Sequence, residues 1–300
     1  MELKHTVIRL QGGLGNQMFQ YAFGRALSLR NGSNLFLDLS ALNPKKNRGY
    51  ALDNFLLTPN FATSDILKGL ITPNFAFRKK LWKALKVPFK YAPTHILEKT
   101  FAYTPSIANN KTSAYYDGYW QSEKYFADFA GAVKADFAFR DEQLLQKCPQ
   151  FDEICSTNSV AIHIRRGDYI KNPKYKKRLY VCTLPYYLRA IAYLRERHSD
   201  LKFFIASDDI KWVAENFELS NQTKLIKSNS AIEDFFLMAN CKHQIISNSS
   251  FSWWCAWLNR NPNKTVIAPN QWFTKFANID YGDIVPASWV KLPINTNETL

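Results

Sequence analysis

Short apolar runs alternate with helical stretches through the second half of this 300-residue chain, and that alternation constrains the fold more than any other feature. Val160-Ala-Ile-His-Ile164 reads as a strand, and Pro185 to His198 as a helix opened by a proline, whose missing N–H costs little there. Leu201 to Ser207 reads as a strand and Ile210 to Phe217 as a short helix. Thr223–Ile226 reads as a strand, Ala231–Cys241 as a helix, Gln244–Ser247 as a strand, Trp253–Asn259 as a helix and Thr265–Ile267 as a last strand. The order predicts a parallel sheet with helices on both faces. The first segment repeats the theme: strand Thr6–Leu10, glycine turn Gln11–Asn16, helix from Gln17 to about Arg30, strand Leu35–Leu37 with Asp38. From Ala41 to Ala114 the pattern weakens. Two α/β domains are expected, residues 1–150 and 151–300, with the boundary between about Arg140 and Ser159, where Cys148-Pro149 and polar residues interrupt the pattern.

The 39 Lys and Arg exceed the 25 Asp and Glu by 14, an excess that favours a polyanionic partner without choosing one. No apolar run approaches the ~18–20 residues that span a bilayer. MELKHTVIRLQGG at the N-terminus lacks the charged and apolar regions of a signal peptide. Five cysteines without a CxxC pair argue against a disulfide framework or thiolate zinc site, so reduced, mostly buried thiols and a cytoplasmic location are expected. His5, His95, His163, His198 and His243 have no metal-binding spacing, and no Asp-x-Asp occurs. No metal requirement is expected. Nor is there a GxSxG elbow.

Three segments carry chemistry. His163-Ile-Arg-Arg-Gly-Asp-Tyr169 ends a predicted strand, where ligands of open α/β sheets bind, and its arginines suit a diphosphate. Asp168 can orient one of them, or the group is an ordinary strand-end ion pair. Gly12-Gly-Leu-Gly-Asn16 joins a strand to a helix start, so Gly13 and Gly15 can bring backbone N–H groups to an anion or simply make a turn. It is neither GxGxxG nor a P-loop. Asn248-Ser-Ser-Phe-Ser252 opens a helix whose hydroxyls can cap it or bind phosphate oxygens. Asp234, early on the preceding helix, is either a helix-start acid or an acceptor for a guanine edge, while Asp208-Asp209 reads as a helix start. Residues 77–90 carry six basic and no acidic side chains, a solvated face or a peripheral contact with anionic membrane.

Taken together, Gln11 to Ala22, His163 to Tyr169 and Asn248 to Trp254 closely resemble the family 11 glycosyltransferases, the α-1,2-fucosyltransferases. Tyr50–Phe55, Gly118–Gln121 with Tyr125-Phe126, and Ile267–Trp272 add to the likeness. It runs from Val7 to about Phe273 and is weak across residues 58–114, 141–158 and 171–184.

The resemblance implies a GT-B type α/β fold, two Rossmann-like domains facing a cleft, acceptor side first and GDP-fucose side second. It implies inverting, metal-independent transfer of fucose from GDP-β-L-fucose to the 2-hydroxyl of a galactose-terminated glycan, the decoration of surface polysaccharide with a lipid-linked acceptor at the inner membrane. Carried over residue by residue, Arg165 meets the donor diphosphate and Ser252, with Ser250 nearby, a phosphate; Arg166, Asn248, Ser249, Gly13 and Gly15 are further candidates for binding GDP-fucose. His163 lies against the nucleoside, Asp234 reads guanine, Asn16 faces the acceptor, and Asp168 supports the catalytic arginine. The general base is open among Asp38, Asp117 and Glu123. The rivals are a fucosyltransferase for a non-galactose or protein acceptor and, more remotely, a non-catalytic polyanion binder; no nucleic-acid motif is present.

Overall fold

Val7 and Ile8 are wholly buried at the centre of β1 (His5–Arg9), the strand on which the first half of the chain is built. The computed structural model describes residues 4–43, 49–71 and 91–294. The basic segment 77–90 lies outside them. Two compact units, Met1–Ala138 and Phe139–Leu300, divide the chain.

In the first unit, β1 pairs in parallel with β2 (Asn34–Asp38) and with β4 (Ala114–Asp117), and β4 pairs in parallel with β3 (His95–Leu97). The sheet order is β2-β1-β4-β3. The helix Leu14–Asn31 returns the chain from β1 to β2 and buries Met18, Phe19, Ala22, Phe23, Ala26 and Leu27, a stripe at helical spacing. It starts three residues before the sequence reading: Gly13 is the N-cap, so Gly15 and Asn16 belong to its first turn. Phe23 stacks on Trp120 at 4.4 Å and meets Tyr116 and Tyr125 edge-on, so an aromatic cluster fixes the helix on the chain that follows β4.

The second unit holds six parallel strands in the order β10-β9-β8-β5-β6-β7. They are β5 (Asn158–Ile164), β6 (Leu201–Ser207), β7 (Thr223–Leu225), β8 (His243–Ile245), β9 (Val266–Pro269) and β10 (Val290–Leu292). β5 and β6 pair without interruption from Asn158↔Leu201 to Ile164↔Ser207. Val160, Ile162 and Ile164 pack with Tyr186, Tyr187, Ala190 and Leu194 of the helix Leu184–Arg195. The alternate residue His163 points the other way, to Phe251 of the helix Ser250–Leu258, which in turn meets Phe235 of the helix Ala231–Asn240. Both faces are therefore covered, and the strands read as continuous apolar runs. Successive strands run outward on both sides of β5, so the order reverses between β5 and β8, where ligands of such sheets bind.

The boundary lies earlier than the expected 150. Phe139 packs edge-on against Phe235 and Phe236, Phe151 stacks on Phe236 at 5.2 Å, and Gln150 bonds to Leu225 and Lys227, so residues 139–157 belong with the second sheet. β10 was not anticipated from the sequence. Of the five free cysteines, Cys182, Cys241 and Cys255 are buried, whereas Cys155 is exposed. Among the described residues no helix is long and apolar enough to cross a membrane.

Candidate active site

Where β5 ends, Arg165 stands between two carboxylates. Its Nη2 lies 2.8 Å from Asp168 Oδ1 and its Nη1 3.0 Å from Asp208 Oδ2. The guanidinium is about a third exposed (32%), and it opens on a hollow of about 550 Å³ lined also by Gly167, Asp168, Lys171, Asn172, Pro173 and Asp208. The clamp depends on Gly167: a Cβ there would come within 2.8 Å of Asp208 Oδ2. Arg166 is held differently. Its backbone N–H donates to Asp208 Oδ1 at 2.8 Å, its Nε donates to Asp209 Oδ2 at 3.2 Å, and its guanidinium lies 4.2 Å over the Trp212 ring. The adjacent arginines thus divide: Arg165 faces the hollow, and Arg166 braces the loop against the helix Ile210–Asn216.

His163 is buried, its Nδ1 hydrogen-bonded to Ser247 Oγ at 2.8 Å across the β5–β8 crevice. Burial first, then the positive Arg165, lowers its affinity for a proton to a pKa of about 3, so it is neutral at physiological pH. Asn248 is also spent inside: its Nδ2 donates to the carbonyls of Tyr180 and Trp272, each at 2.9 Å, while its own carbonyl accepts from Tyr169. Ser252 is fully buried and donates to the Ser249 carbonyl at 3.3 Å. These two side chains hold the loop in place and do not line the hollow: Asn248 Nδ2 and Ser252 Oγ are spent on backbone carbonyls, and Asn248 Oδ1 accepts from the Cys182 thiol. Ser249 is the helix N-cap but its side chain makes no capping bond, and Ser250 begins the helix. Asp234 accepts from Ser228 Oγ at 2.6 Å, and burial holds its carboxyl above the ordinary range. Asp234, His163, Ser249 and Ser250 are brought to one side of the second sheet by the Phe235–Phe251–His163 contacts.

Asn16, Gly13 and Gly15 lie in the first unit. Gly12 has φ +83°, and a Cβ on it would run into the Asn16 side chain, so glycine is what lets the loop turn closely over that amide. Asn16 Oδ1 accepts from Gln121 Nε2 at 2.8 Å, and Gln17 ties the loop to Gly12, Gly49 and Ala51. The base candidates separate by their partners. Asp38 accepts from Tyr115 Oη, Ser40 N and Ser40 Oγ, which makes it a strand-end residue. Asp117 accepts from Arg9 at 2.7 Å with His95 Nε2 3.8 Å away. Burial alone would raise its pKa, but His95 and Arg9 outweigh that and hold it below the usual carboxylate range. Glu123 opens a short 3-10 turn, half-buried.

The pair Asp208-Asp209, read as one helix start, divides, and Glu98 has no signal in the sequence. Asp209, not Asp208, caps the helix Ile210–Asn216, accepting from Trp212 N at 3.2 Å; Asp208 grips the Arg165 guanidinium and the backbone N–H of Arg166. Glu98 follows β3 and accepts from Tyr119 N at 2.6 Å and Trp120 N at 2.9 Å, and burial pushes its pKa up to about 7. It is a lone acid after a three-residue strand, which no spacing rule detects. Among the described residues no three His, Cys, Asp or Glu side chains gather as a metal site needs.

The family model for glycosyl transferase family 11 matches residues 2–293. An Escherichia coli alpha-1,2-colitosyltransferase is 39% identical over 296 residues, covering 96% of this chain and 98% of that one. The E. coli O-antigen biosynthesis glycosyltransferase WbnK is 32% identical over 94% of this chain and 99% of its own. A Caenorhabditis elegans galactoside 2-alpha-L-fucosyltransferase is 30% identical over 61% of this chain and 53% of its own. Among solved structures, POFUT1 in complex with GDP superposes with TM-score 0.52 at 11% identity, over 88% of this chain and 97% of that one. Fucosyltransferase NodZ from Bradyrhizobium superposes with TM-score 0.51 at 14% identity, over 85% and 93%. These two likenesses show the fold, the two-unit α/β arrangement of GT-B type.

Proposed function

The chain belongs to glycosyltransferase family 11, and from that premise we propose that it moves L-fucose from GDP-β-L-fucose to the 2-hydroxyl of a terminal galactose in a glycan, with inversion and without a metal. The observation that carries this reading is Arg165, fixed by Asp168 and Asp208 at the mouth of the hollow. As the bond from fucose C1 to oxygen breaks, negative charge gathers on the leaving β-phosphate and the sugar becomes oxocarbenium-like. A guanidinium already held in place stabilises that charge more in the transition state than in the ground state. In this reading Lys171, beside Arg165, adds positive charge from the rim, Ser249 and Ser250 meet phosphate oxygens, and Asp234 and His163 meet the nucleoside. Asn16, held by Gln121, faces the acceptor hydroxyl. The first unit is then the acceptor side and the second the GDP-sugar side. The acceptor is a lipid-linked polysaccharide precursor at the cytoplasmic face of the membrane.

The 39% identity to an alpha-1,2-colitosyltransferase supports a second reading, transfer of colitose, which is fucose without its 3-hydroxyl. A site that hydrogen-bonds the 3-hydroxyl would reject the deoxy sugar strongly, because its polar groups would be left unpaired.

The test is transfer from GDP-fucose, and in parallel from GDP-colitose, to a terminal β-galactoside with excess EDTA, the product linkage read by NMR. An α-1,2-fucosyl product is expected. A product from GDP-colitose alone would move the donor to the second reading, and an absence of binding to either nucleotide sugar would overturn both.

A further inference from the structure

We propose that residues 170–178, together with Lys275 and Phe276, form a surface that docks on anionic phospholipid membrane. Lys171, Lys174, Lys176, Lys177 and Arg178 are all exposed, the stretch holds no acid, and none of the five is ion-paired among the described residues. Their charge is therefore available to a partner rather than spent within the protein. Phe276 is 66% exposed, the most exposed large apolar side chain among the described residues, and Lys275 Nζ lies 5.7 Å from its ring. Ile170, at the other end of the stretch, is 40% exposed.

These side chains sit on one braced platform. Pro173 and the Asn172 side chain, which accepts from Lys174 N at 3.0 Å, start the helix Pro173–Arg178. Tyr175 turns inward to meet Tyr169. At the far end Thr274 N donates to Arg178 O at 2.9 Å, Thr274 Oγ1 donates to Lys177 O at 2.6 Å, and Leu179 bridges to Phe273. The cations and the exposed ring are thereby carried together, with Asp280, the exposed acid nearest in sequence, accepting from Gly282 N. Cations around a protruding aromatic ring match a surface that offers negative headgroups above an apolar layer. A soluble polyanion would use the cations and leave the ring without an apolar phase. The surface adjoins the hollow through Lys171 and Pro173, so a docked chain would hold its β5 end close to the lipid.

Membrane binding can be read by flotation with neither donor nor acceptor present. The full chain is floated with phosphatidylglycerol–phosphatidylcholine vesicles, with pure phosphatidylcholine vesicles, and with the mixed vesicles at raised salt. Wild type should bind the mixed vesicles and lose them with salt. The triple variant Lys174→Ala, Lys176→Ala, Lys177→Ala should bind about a hundredfold more weakly, about fivefold per cation. Phe276→Ser should weaken binding to mixed vesicles while leaving binding to heparin unchanged. All these positions are exposed and outside the clamp, so the melting temperature and transfer to a soluble acceptor should not move. Failure of wild type to float would overturn the proposal. So would loss of binding only when Lys79, Lys80 and Lys83 are neutralised, or a Phe276→Ser variant that floats like wild type.

Discussion

Asp208 grips Arg165 through one carboxylate oxygen, 3.0 Å from Nη1, and with the other accepts the backbone N–H of Arg166 at 2.8 Å. One side chain thereby sets both the direction of the guanidinium and the path of the loop that carries it. β6 delivers Asp208 to this point because its seven-residue pairing with β5 brings the ends of the two strands level, Ile164 opposite Ser207.

Arg165→Ala should lower turnover by about 10²–10³, the usual cost of losing one preorganised donor to developing negative charge. Arg165→Lys should recover little, because an ammonium cannot reproduce the two-armed geometry that Asp168 and Asp208 hold. Steady-state transfer from GDP-fucose measures both, and turnover within tenfold of wild type in the alanine variant would remove Arg165 from this role.

Gly167→Ala tests the clamp without touching a charge. The added methyl would approach Asp208 Oδ2 to 2.8 Å, so the carboxylate oxygen that holds Arg165 must shift from its place. Turnover should fall by roughly ten- to a hundredfold. Circular dichroism should report an unchanged fold.

Two arginines, a glycine and an aspartate in one segment marked the end of β5 as a place to look, and the glycine turn after β1 marked the start of the first helix. Asp208 was not legible. Adjacent aspartates at a strand end look alike, and only the register of β6 against β5 decides that Asp209 caps a helix while Asp208 turns to Arg165. β3 and β4 were lost for a different reason. They are three and four residues long, and all four residues of β4 are buried, so neither shows an alternating pattern. Their partners, not their own sequence, make them strands. The side-chain amide of Asn248 shows what a recognisable block leaves out: its sequence does not reveal that Nδ2 donates to the carbonyls of Tyr180 and Trp272.

His163 predicts acid sensitivity. Its pKa in the folded chain, about 3, lies below the ordinary 6.5, so the fold disfavours its protonated form. The stability this contributes is fully present above pH 6.5 and is lost as pH falls toward 3. His163→Asn should flatten that part of the melting-temperature profile; a variant with the wild-type slope would assign the acid loss elsewhere, His243 being the next group so depressed, to about 4.

Glu98 predicts the reverse sign. With a folded pKa of about 7 against an ordinary 4.5, its contribution is present below pH 4.5 and is lost as pH rises through 7. Glu98→Gln should remove roughly 3 kcal/mol of pH-dependent change over that interval. The variant should be the less stable protein at pH 5, where it mispairs an amide with Tyr119 or Trp120 N–H, and should draw level by pH 8. Parallel melting curves across this range would show that Glu98 does not titrate there.

The order β10-β9-β8-β5-β6-β7 also sets a timetable for biogenesis. The middle strand β5 pairs with β6 on one side and β8 on the other, and the edge strand β10 closes only with Val290 opposite Ile267. During synthesis the first unit has all its strands by Asp117, whereas the second cannot complete its sheet until Leu292 has left the ribosome. The nascent chain therefore carries a finished amino-terminal half alongside an apolar, unpaired β5, the interval in which a chaperone has most to protect.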